Sequence, residues 1–168
     1  LTLTTTGMLL SQEKIDYVNE HKMSLVLSLD GREDVHNAMR PVAGSGANSY
    51  EYIAKNLVNA VKQRHGLEYY VRGTYTHKNL DFTKDVLAMS DLGFEHLSME
   101  PVVGEEGDYV LREEDWPTLE KEYETLADIY LQRQKDGWGE KFNFFHFRMD
   151  LYHGPCMAKR LRGCGAGH

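Results

Sequence analysis

Polar side chains close or interrupt several apolar runs of this sequence. They are Ser28, Asp30, Arg72 and Glu100. Hydroxyl, carboxylate and guanidinium groups in such places can bind a small polar ligand or exchange protons with it. Two structural alternatives stay open. Asp30 could only form a turn, and Arg72 could form an ion pair with Glu100. Gly73, next to Arg72, would let a ligand approach the backbone closely.

Four further residues offer distinct chemistry. They are Arg40, His146, Cys156 and Cys164. The planar guanidinium of Arg40 suits a ligand carboxylate, although a surface salt bridge is its commoner use. No His-Glu-x-x-His pattern accompanies His146, so a zinc hydrolase is not supported. The two cysteines lie among glycines and suit an iron–sulfur cluster, which needs about four ligands. On spacing alone, two free thiols explain them nearly as well.

Alternating apolar runs and helical stripes must position these residues. The predicted strands cover residues 1–6, 24–29, 68–76, 94–99 and 142–147. The predicted helices begin near residues 11, 49, 81 and 116. Such alternation predicts an α/β fold with right-handed crossovers and a parallel sheet, either doubly wound or barrel-like. In both arrangements ligands bind at the carboxyl ends of the strands, where the polar residues are expected.

Composition narrows the range of partners. The chain has 168 residues, of which 41% are hydrophobic and 27% charged, as is usual for a globular protein. Its net charge is −7 and its basic residues are scattered, which argues against nucleic acid and favours a small or peptidic partner. The sequence has neither an apolar run long enough to span a membrane nor a signal peptide. We therefore expect a cytoplasmic protein.

Both ends of the sequence interrupt structural elements. Leu1 lies inside a strand-like run, and the sequence stops just after Cys164. Domain boundaries usually fall in flexible linkers. We therefore expect an internal piece of a larger protein.

Three segments together resemble radical S-adenosylmethionine (SAM) enzymes that carry a SPASM domain. Residues 26–31 (Val-Leu-Ser-Leu-Asp-Gly), 36–40 (His-Asn-Ala-Met-Arg) and 44–46 (Gly-Ser-Gly) resemble the fourth-strand region of that family. Upstream, residues 4–7 resemble its Thr-Asn-Gly element, with Thr6 in place of Asn. The tail, residues 144–167, is most similar to the maturases of six-cysteine SCIFF peptides.

The resemblance implies a fold and a set of cofactors. Residues 1–150 would be a portion of a partial (β/α)6 TIM-like radical SAM barrel, and residues 151–168 the bridge and the start of the SPASM domain. The family binds SAM, one [4Fe–4S] cluster through a Cys-x3-Cys-x2-Cys motif, and auxiliary [4Fe–4S] clusters. The sequence lacks that motif. We expect the motif upstream of Leu1, and we expect this piece to be inactive alone.

The resemblance also implies an activity. SCIFF maturases cleave SAM reductively, take a hydrogen from a ribosomally made, Cys-rich precursor peptide and join that carbon to a cysteine sulfur as a thioether. Their electron donor is a flavodoxin or ferredoxin. Three other hypotheses remain: another SPASM modifier such as a sulfatase maturase, an unrelated α/β-barrel acid/base enzyme using Asp30, Glu100 and His146, or a non-catalytic peptide-binding module using residues 142–147.

Residue by residue, the resemblance predicts contacts but no catalytic residue. The predicted SAM contacts are Ser28, Arg40, Arg72 and, more weakly matched, Thr6. Asp30 and Glu100 are predicted to face the same mouth and to contact SAM or peptide. Cys156 and Cys164 match early ligands of an auxiliary cluster.

Overall fold

A computed structural model describes residues 1–148, which form a five-stranded sheet with every neighbouring pair of strands parallel. The strands are β1 (Thr2–Thr5), β2 (Ser24–Ser28), β3 (Tyr69–Tyr75), β4 (His96–Pro101) and β5 (Asn143–Phe144). Their order in the sheet follows the sequence, β1-β2-β3-β4-β5. A doubly wound sheet would reverse its order at a switch point, whereas a barrel does not. The predicted α/β fold is confirmed, with barrel-type winding.

Helices connect the strands, as the alternating pattern predicted. The α-helices are α1 (Gln12–Glu20), α2 (Glu33–Met39), α3 (Tyr50–Lys62), α4 (Phe82–Asp91) and α5 (Trp116–Lys135). Short 3-10 helices cover Glu113–Asp115, Gly139–Lys141 and Phe145–Arg148. The sequence interpretation missed α2, because that segment has too few apolar residues for a helical stripe. Within residues 1–148, no helix is long and apolar enough to cross a membrane.

The two faces of the sheet differ in chemistry. On β2, Leu25 and Leu27 are at most 1% exposed and pack into the core with residues of the helices, such as Leu57 of α3 and Val86 of α4. The residues between them turn to the opposite face, because successive strand side chains alternate. That opposite face, called here the polar face, carries Ser28 and its neighbours on β3 and β4.

The prediction of the last strand, over residues 142–147, is wrong beyond Phe144. The structure has β5 over Asn143–Phe144 and then a 3-10 helix over Phe145–Arg148. In a 3-10 helix, side chains three residues apart lie on the same side. Phe147 accordingly packs on Phe144, with ring centroids 5.0 Å apart. If the strand continued, the two side chains would point to opposite faces of the sheet. Phe145 stays 46% exposed.

Gly73 serves the sheet rather than a ligand. A Cβ at this position would lie 2.6 Å from Met99 Sδ and 2.9 Å from the Leu29 carbonyl oxygen. Real Cβ contacts are longer, so strand packing itself requires the glycine. The prediction that Gly73 admits a ligand is therefore not supported by its surroundings.

Candidate functional site

Strand register places the sequence-predicted residues in two rows on the polar face. Ser28 lies opposite Arg72, and Arg72 lies opposite Ser98, which makes the first row. Two residues further along each strand, Thr74 lies opposite Glu100. Together with Asp30, which accepts the Thr74 N–H at 3.2 Å, these form a second row at the carboxyl edge. The polar residues at the ends of separate strands are thus brought together.

Arg72 is exposed on the first row. The structural alternative to ligand binding was an ion pair between Arg72 and Glu100, yet no such pair forms among residues 1–148. Glu100 instead accepts a hydrogen bond from Ser98 Oγ at 2.9 Å and lies 3.3 Å from His146 Nε2. The guanidinium of Arg72 therefore faces the open side of the sheet, where a ligand carboxylate would find it.

Asp30 is buried and ties the end of β2 to two neighbours. Its carboxylate receives Arg40 Nε at 2.5 Å and Arg40 Nη2 at 3.1 Å, in addition to the Thr74 N–H. Asp30 is 1% exposed, whereas the Arg40 side chain is 34% exposed. Asp30 therefore does more than form a turn. Arg40, predicted to be available for a ligand carboxylate, is already paired with a protein carboxylate at the carboxyl edge.

His36 is a buried hydrogen-bond partner of the Asp30 backbone. Its Nδ1 accepts the Asp30 backbone N–H at 3.2 Å, and the side chain is fully buried. Burial lowers the pKa of His36, with the Arg40 charge adding to the effect and the Asp30 charge opposing it. Because Nδ1 is the acceptor in this neutral ring, Nε2 carries the proton. Nε2 is buried without a hydrogen-bond partner among the described residues.

An ion network behind the turn after Asp30 was not foreseen from the sequence. Gly31 has φ of +102°, and a Cβ there would lie 2.2 Å from the Asp85 Cβ. This close approach lets Arg32 donate to Asp85 at 2.8 Å and to Asp81 at 2.7 Å. Hydrogen bonds to the two carboxylates raise the pKa of Arg32, and the bond from Arg32 lowers the pKa of Asp81. The sequence signal that could have indicated this network was Asp85, a carboxylate within the apolar stripe of α4.

Thr6 lies just beyond β1, next along the sheet from the Ser28 position. Thr5 pairs with Leu27, so Thr6 continues toward the polar face, and it is exposed. Gly7 follows with φ of +81°, and its N–H donates to Thr5 Oγ1 at 3.1 Å. Thr6 thus reaches the carboxyl edge that its predicted SAM contact requires.

The predicted acid/base trio does not form one cluster. Glu100 and His146 lie together, but the Asp30 carboxylate is held by Arg40 and Thr74. The predicted cluster ligands, Cys156 and Cys164, lie outside the described residues.

A second His–carboxylate contact lies in the loops that follow β3 and β4. His77 Nδ1 is 2.9 Å from both carboxylate oxygens of Asp115, which is 3% exposed. Burial raises the pKa of Asp115, but hydrogen bonds from the Arg112 N–H and His77 outweigh it and lower that pKa. Glu114 adds a third possible metal ligand, with all three ligand atoms within 4.8 Å. Asp115 is already satisfied by protein donors, so we interpret this contact as structural.

The fold defines an architecture: residues 1–148 form part of a TIM-like α/β barrel. Among the solved structures that match are several of the anaerobic sulfatase-maturating enzyme anSMEcpe. Its native form with bound AdoMet and Kp18Cys peptide superposes with a TM-score of 0.73 at 20% identity, over 87% of this chain and 40% of that one. The hexahistidine-tagged form with AdoMet gives a TM-score of 0.72, also at 20% identity, over 87% of this chain and 38% of that one.

A third structure, native anSMEcpe with AdoMet and Cp18Cys peptide, gives a TM-score of 0.71 at 20% identity, over 87% of this chain and 40% of that one. The chain therefore spans about 40% of the length of the structures that it matches. No protein-family model and no curated protein matches the sequence. At this identity the likeness establishes the fold alone.

Proposed function

We propose that this chain is part of a radical SAM enzyme that modifies a ribosomally made, Cys-rich peptide of the SCIFF type by forming a cysteine thioether. The observation that carries the proposal is the pair of polar rows at the carboxyl edge of a barrel-type sheet. In such folds ligands bind at that edge. The three anSMEcpe structures, which share this fold, hold AdoMet, and two of them also hold a peptide.

The residues on the polar face fit SAM chemically. SAM carries a carboxylate, an ammonium group and ribose hydroxyls, and when bound it supplies the radical chemistry of the family. Arg72 offers an exposed planar guanidinium that suits the carboxylate. Ser28 and Thr6 offer hydroxyls to the polar ends of the ligand. Arg40, paired with Asp30, would contribute its exposed edge while Asp30 fixes its orientation.

Iron–sulfur clusters belong to the same proposal. Cys156 and Cys164 would be early ligands of an auxiliary [4Fe–4S] cluster in a SPASM domain. The cluster that cleaves SAM would be held by a Cys-x3-Cys-x2-Cys motif in the rest of the whole protein. We propose a flavodoxin or ferredoxin as electron donor and a reducing cytoplasm as the location, because cluster thiolates and free substrate cysteines persist there.

A sulfatase-maturase-like activity is the second candidate. It is favoured by one observation: several matching structures are of a sulfatase-maturating enzyme, two of them with bound Kp18Cys or Cp18Cys peptide. The two activities share SAM cleavage and a cysteine-containing peptide. They differ in the product, since only the first candidate forms a thioether, which keeps the cysteine sulfur.

The test uses the full-length protein, purified and reconstituted without oxygen. We expect bound iron and the appearance of 5′-deoxyadenosine when SAM and a reductant are added. With a Cys-rich peptide, mass spectrometry should show loss of two hydrogens and retention of sulfur. A modified peptide without this thioether would select the sulfatase-maturase-like candidate. A protein without iron that leaves SAM intact would overturn both.

A further inference from the structure

Glu100, which the sequence predicts to contact SAM or peptide, forms a pair with His146. Glu100 projects from β4 onto the polar face, and His146 belongs to the 3-10 helix Phe145–Arg148 that replaces the expected strand. Glu100 Oε1 lies 3.3 Å from His146 Nε2 and also accepts from Ser98 Oγ at 2.9 Å. The side chains of Glu100 and His146 are 31% and 22% exposed, so the pair is largely sheltered but keeps some access to solvent.

The contact assigns different roles to the two ring nitrogens. His146 Nε2 is buried, and within residues 1–148 it makes no hydrogen bond of good geometry, so Glu100 is its acidic neighbour. A carboxylate beside one imidazole nitrogen holds the proton there and leaves the lone pair on the other. Glu100 therefore favours the tautomer with the proton on Nε2. Nδ1 of His146 is then the proton acceptor.

Neighbouring charges are already engaged elsewhere. The 3-10 helix of His146 packs against β4 and β5. His96 of β4 contacts Asn143 Nδ2 at 2.9 Å, and Arg148 is paired with Glu140 at 2.7 Å. On the adjacent β3, Arg72 lies opposite Ser98 in the first row. Glu100 is thus the titratable group at ion-pair distance from His146 within the described residues.

We propose that His146, oriented by Glu100, accepts the proton of the cysteine thiol of the peptide substrate. The inference rests on the proposed function, because both candidate activities act on a cysteine-containing peptide. In the step, the S–H bond breaks, its electron pair stays on sulfur and the proton moves to His146 Nδ1. The thiolate is the reactive form of cysteine, and imidazole is the usual side chain that generates it near neutral pH. Glu100 is a positioning residue.

The experiment compares wild-type and His146→Gln full-length, reconstituted protein with a Cys-containing peptide over a range of pH. At pH 7 we expect modified peptide to form about a hundredfold more slowly in the variant, a typical loss for a removed general base. A free thiol ionises by itself near pH 8.5, so the variant's rate should recover as pH rises past about that value. A merely structural role for His146 would give a loss that pH does not restore.

Two further variants sharpen the result. Glu100→Asp keeps a carboxylate and should retain more of the rate at pH 7 than Glu100→Gln. His21→Gln is the matched control, because His21 is exposed at the end of α1, away from the carboxyl edge, and it should leave the pH profile unchanged. A His146→Gln profile parallel to the wild-type profile would overturn the inference while leaving the proposed function intact. No deoxyadenosine from wild-type protein would instead reject the proposed function.

Discussion

Two arginines near the carboxyl edge of the sheet have opposite surroundings. Arg32 donates to Asp81 and Asp85 behind the turn at Gly31, and Asp85 is fully buried. Arg72 lies on the polar face, exposed, with no ion pair among residues 1–148. An arginine whose fork is filled by protein carboxylates stabilises the fold, whereas an exposed fork among polar neighbours is free for a ligand. The comparison separates an arginine that stabilises the edge from one that is available to a ligand.

Two carboxylates, Asp85 and Glu100, repeat the difference. Asp85 accepts from the Arg32 backbone and side chain and from Asn79 Nδ2 at 3.2 Å, so its hydrogen-bonding capacity is used inside the protein. Glu100 is 31% exposed, and Ser98 and His146 engage only its Oε1 within the described residues. A buried carboxylate whose hydrogen-bonding capacity is used within the protein is a structural group. A partly exposed carboxylate that can accept further hydrogen bonds is a candidate functional group.

Among the residues that stabilise the edge, called here the structural side, replacing Asp85 should cause the largest loss of unfolding free energy. Asp85→Ala leaves Arg32 without its buried partner and leaves Asn79 Nδ2 without that acceptor. Breaking a buried charge pair from one side typically costs about 3 to 5 kcal/mol of unfolding free energy. Urea denaturation of the variant and the wild type, followed by circular dichroism, measures the loss.

Asp81→Asn is the matched control for that prediction. Asp81 binds the same guanidinium but is 40% exposed, and a solvent-exposed ion pair contributes at most about 1 kcal/mol. We expect the control to lose far less stability than Asp85→Ala. Equal losses would show that burial does not separate the two carboxylates and would break the comparison.

The sequence predicted the main elements because their signals are local. The apolar runs and stripes indicated β1 to β4 and four of the five α-helices to within a few residues. Helix α2 was missed because it has too few apolar residues for a helical stripe, and its contact with α3 is polar: Asn37 Oδ1 accepts the N–H groups of Ser49 and Tyr50 at 2.9 and 3.0 Å. No hydrophobic period reports such a contact.

The positions of polar residues along the strands predicted which of them share the polar face. They did not predict which of these residues form ion pairs or hydrogen bonds with one another. Alternation along the strands sufficed to bring Ser28, Arg72 and Glu100 to one face. Which acid pairs with which base depends on positions set by tertiary structure. The Arg40–Asp30 pair, and the turn that carries His146 to Glu100, therefore appeared only in three dimensions.

Replacing Arg72 should have the largest effect on the ligand-binding side. Arg72→Ala removes a guanidinium that contributes no protein ion pair in the described structure, so its unfolding free energy should stay within about 0.5 kcal/mol of wild type. A hydrogen bond to a charged group contributes about 1.5 to 3 kcal/mol, so SAM affinity should fall by roughly 10- to 150-fold. Calorimetric titration of the full-length, reconstituted protein with SAM measures it.

Arg72→Lys tests the geometry of the same contact. Lysine keeps the charge but lacks the planar fork that binds a carboxylate through two parallel bonds. We expect an affinity between those of the wild type and Arg72→Ala. Unchanged SAM affinity in both variants would remove Arg72 from the ligand-binding side and leave the exposed arginine without a role.

The smallest expected effect concerns His36, which lies on the structural side. Burial lowers its pKa below the ordinary value of about 6.5, so the unfolded chain binds a proton at a pH where the folded protein does not. Stability must therefore fall as the pH drops below about 6.5, and the decline ends once the pH is below the folded pKa. Chemical denaturation at a series of pH values between 7 and 5 measures the slope.

His36→Asn should flatten that slope, because its Oδ1 replaces the acceptor for the Asp30 N–H and does not titrate. The informative quantity is the difference between the two stability curves. If the His36→Asn slope equals the wild-type slope, His36 takes up protons as readily in the folded protein as in the unfolded chain. Its burial behind Asp30 would then have no electrostatic consequence, and the distinction between the two sides of the edge would rest on Arg32 and Asp85 alone.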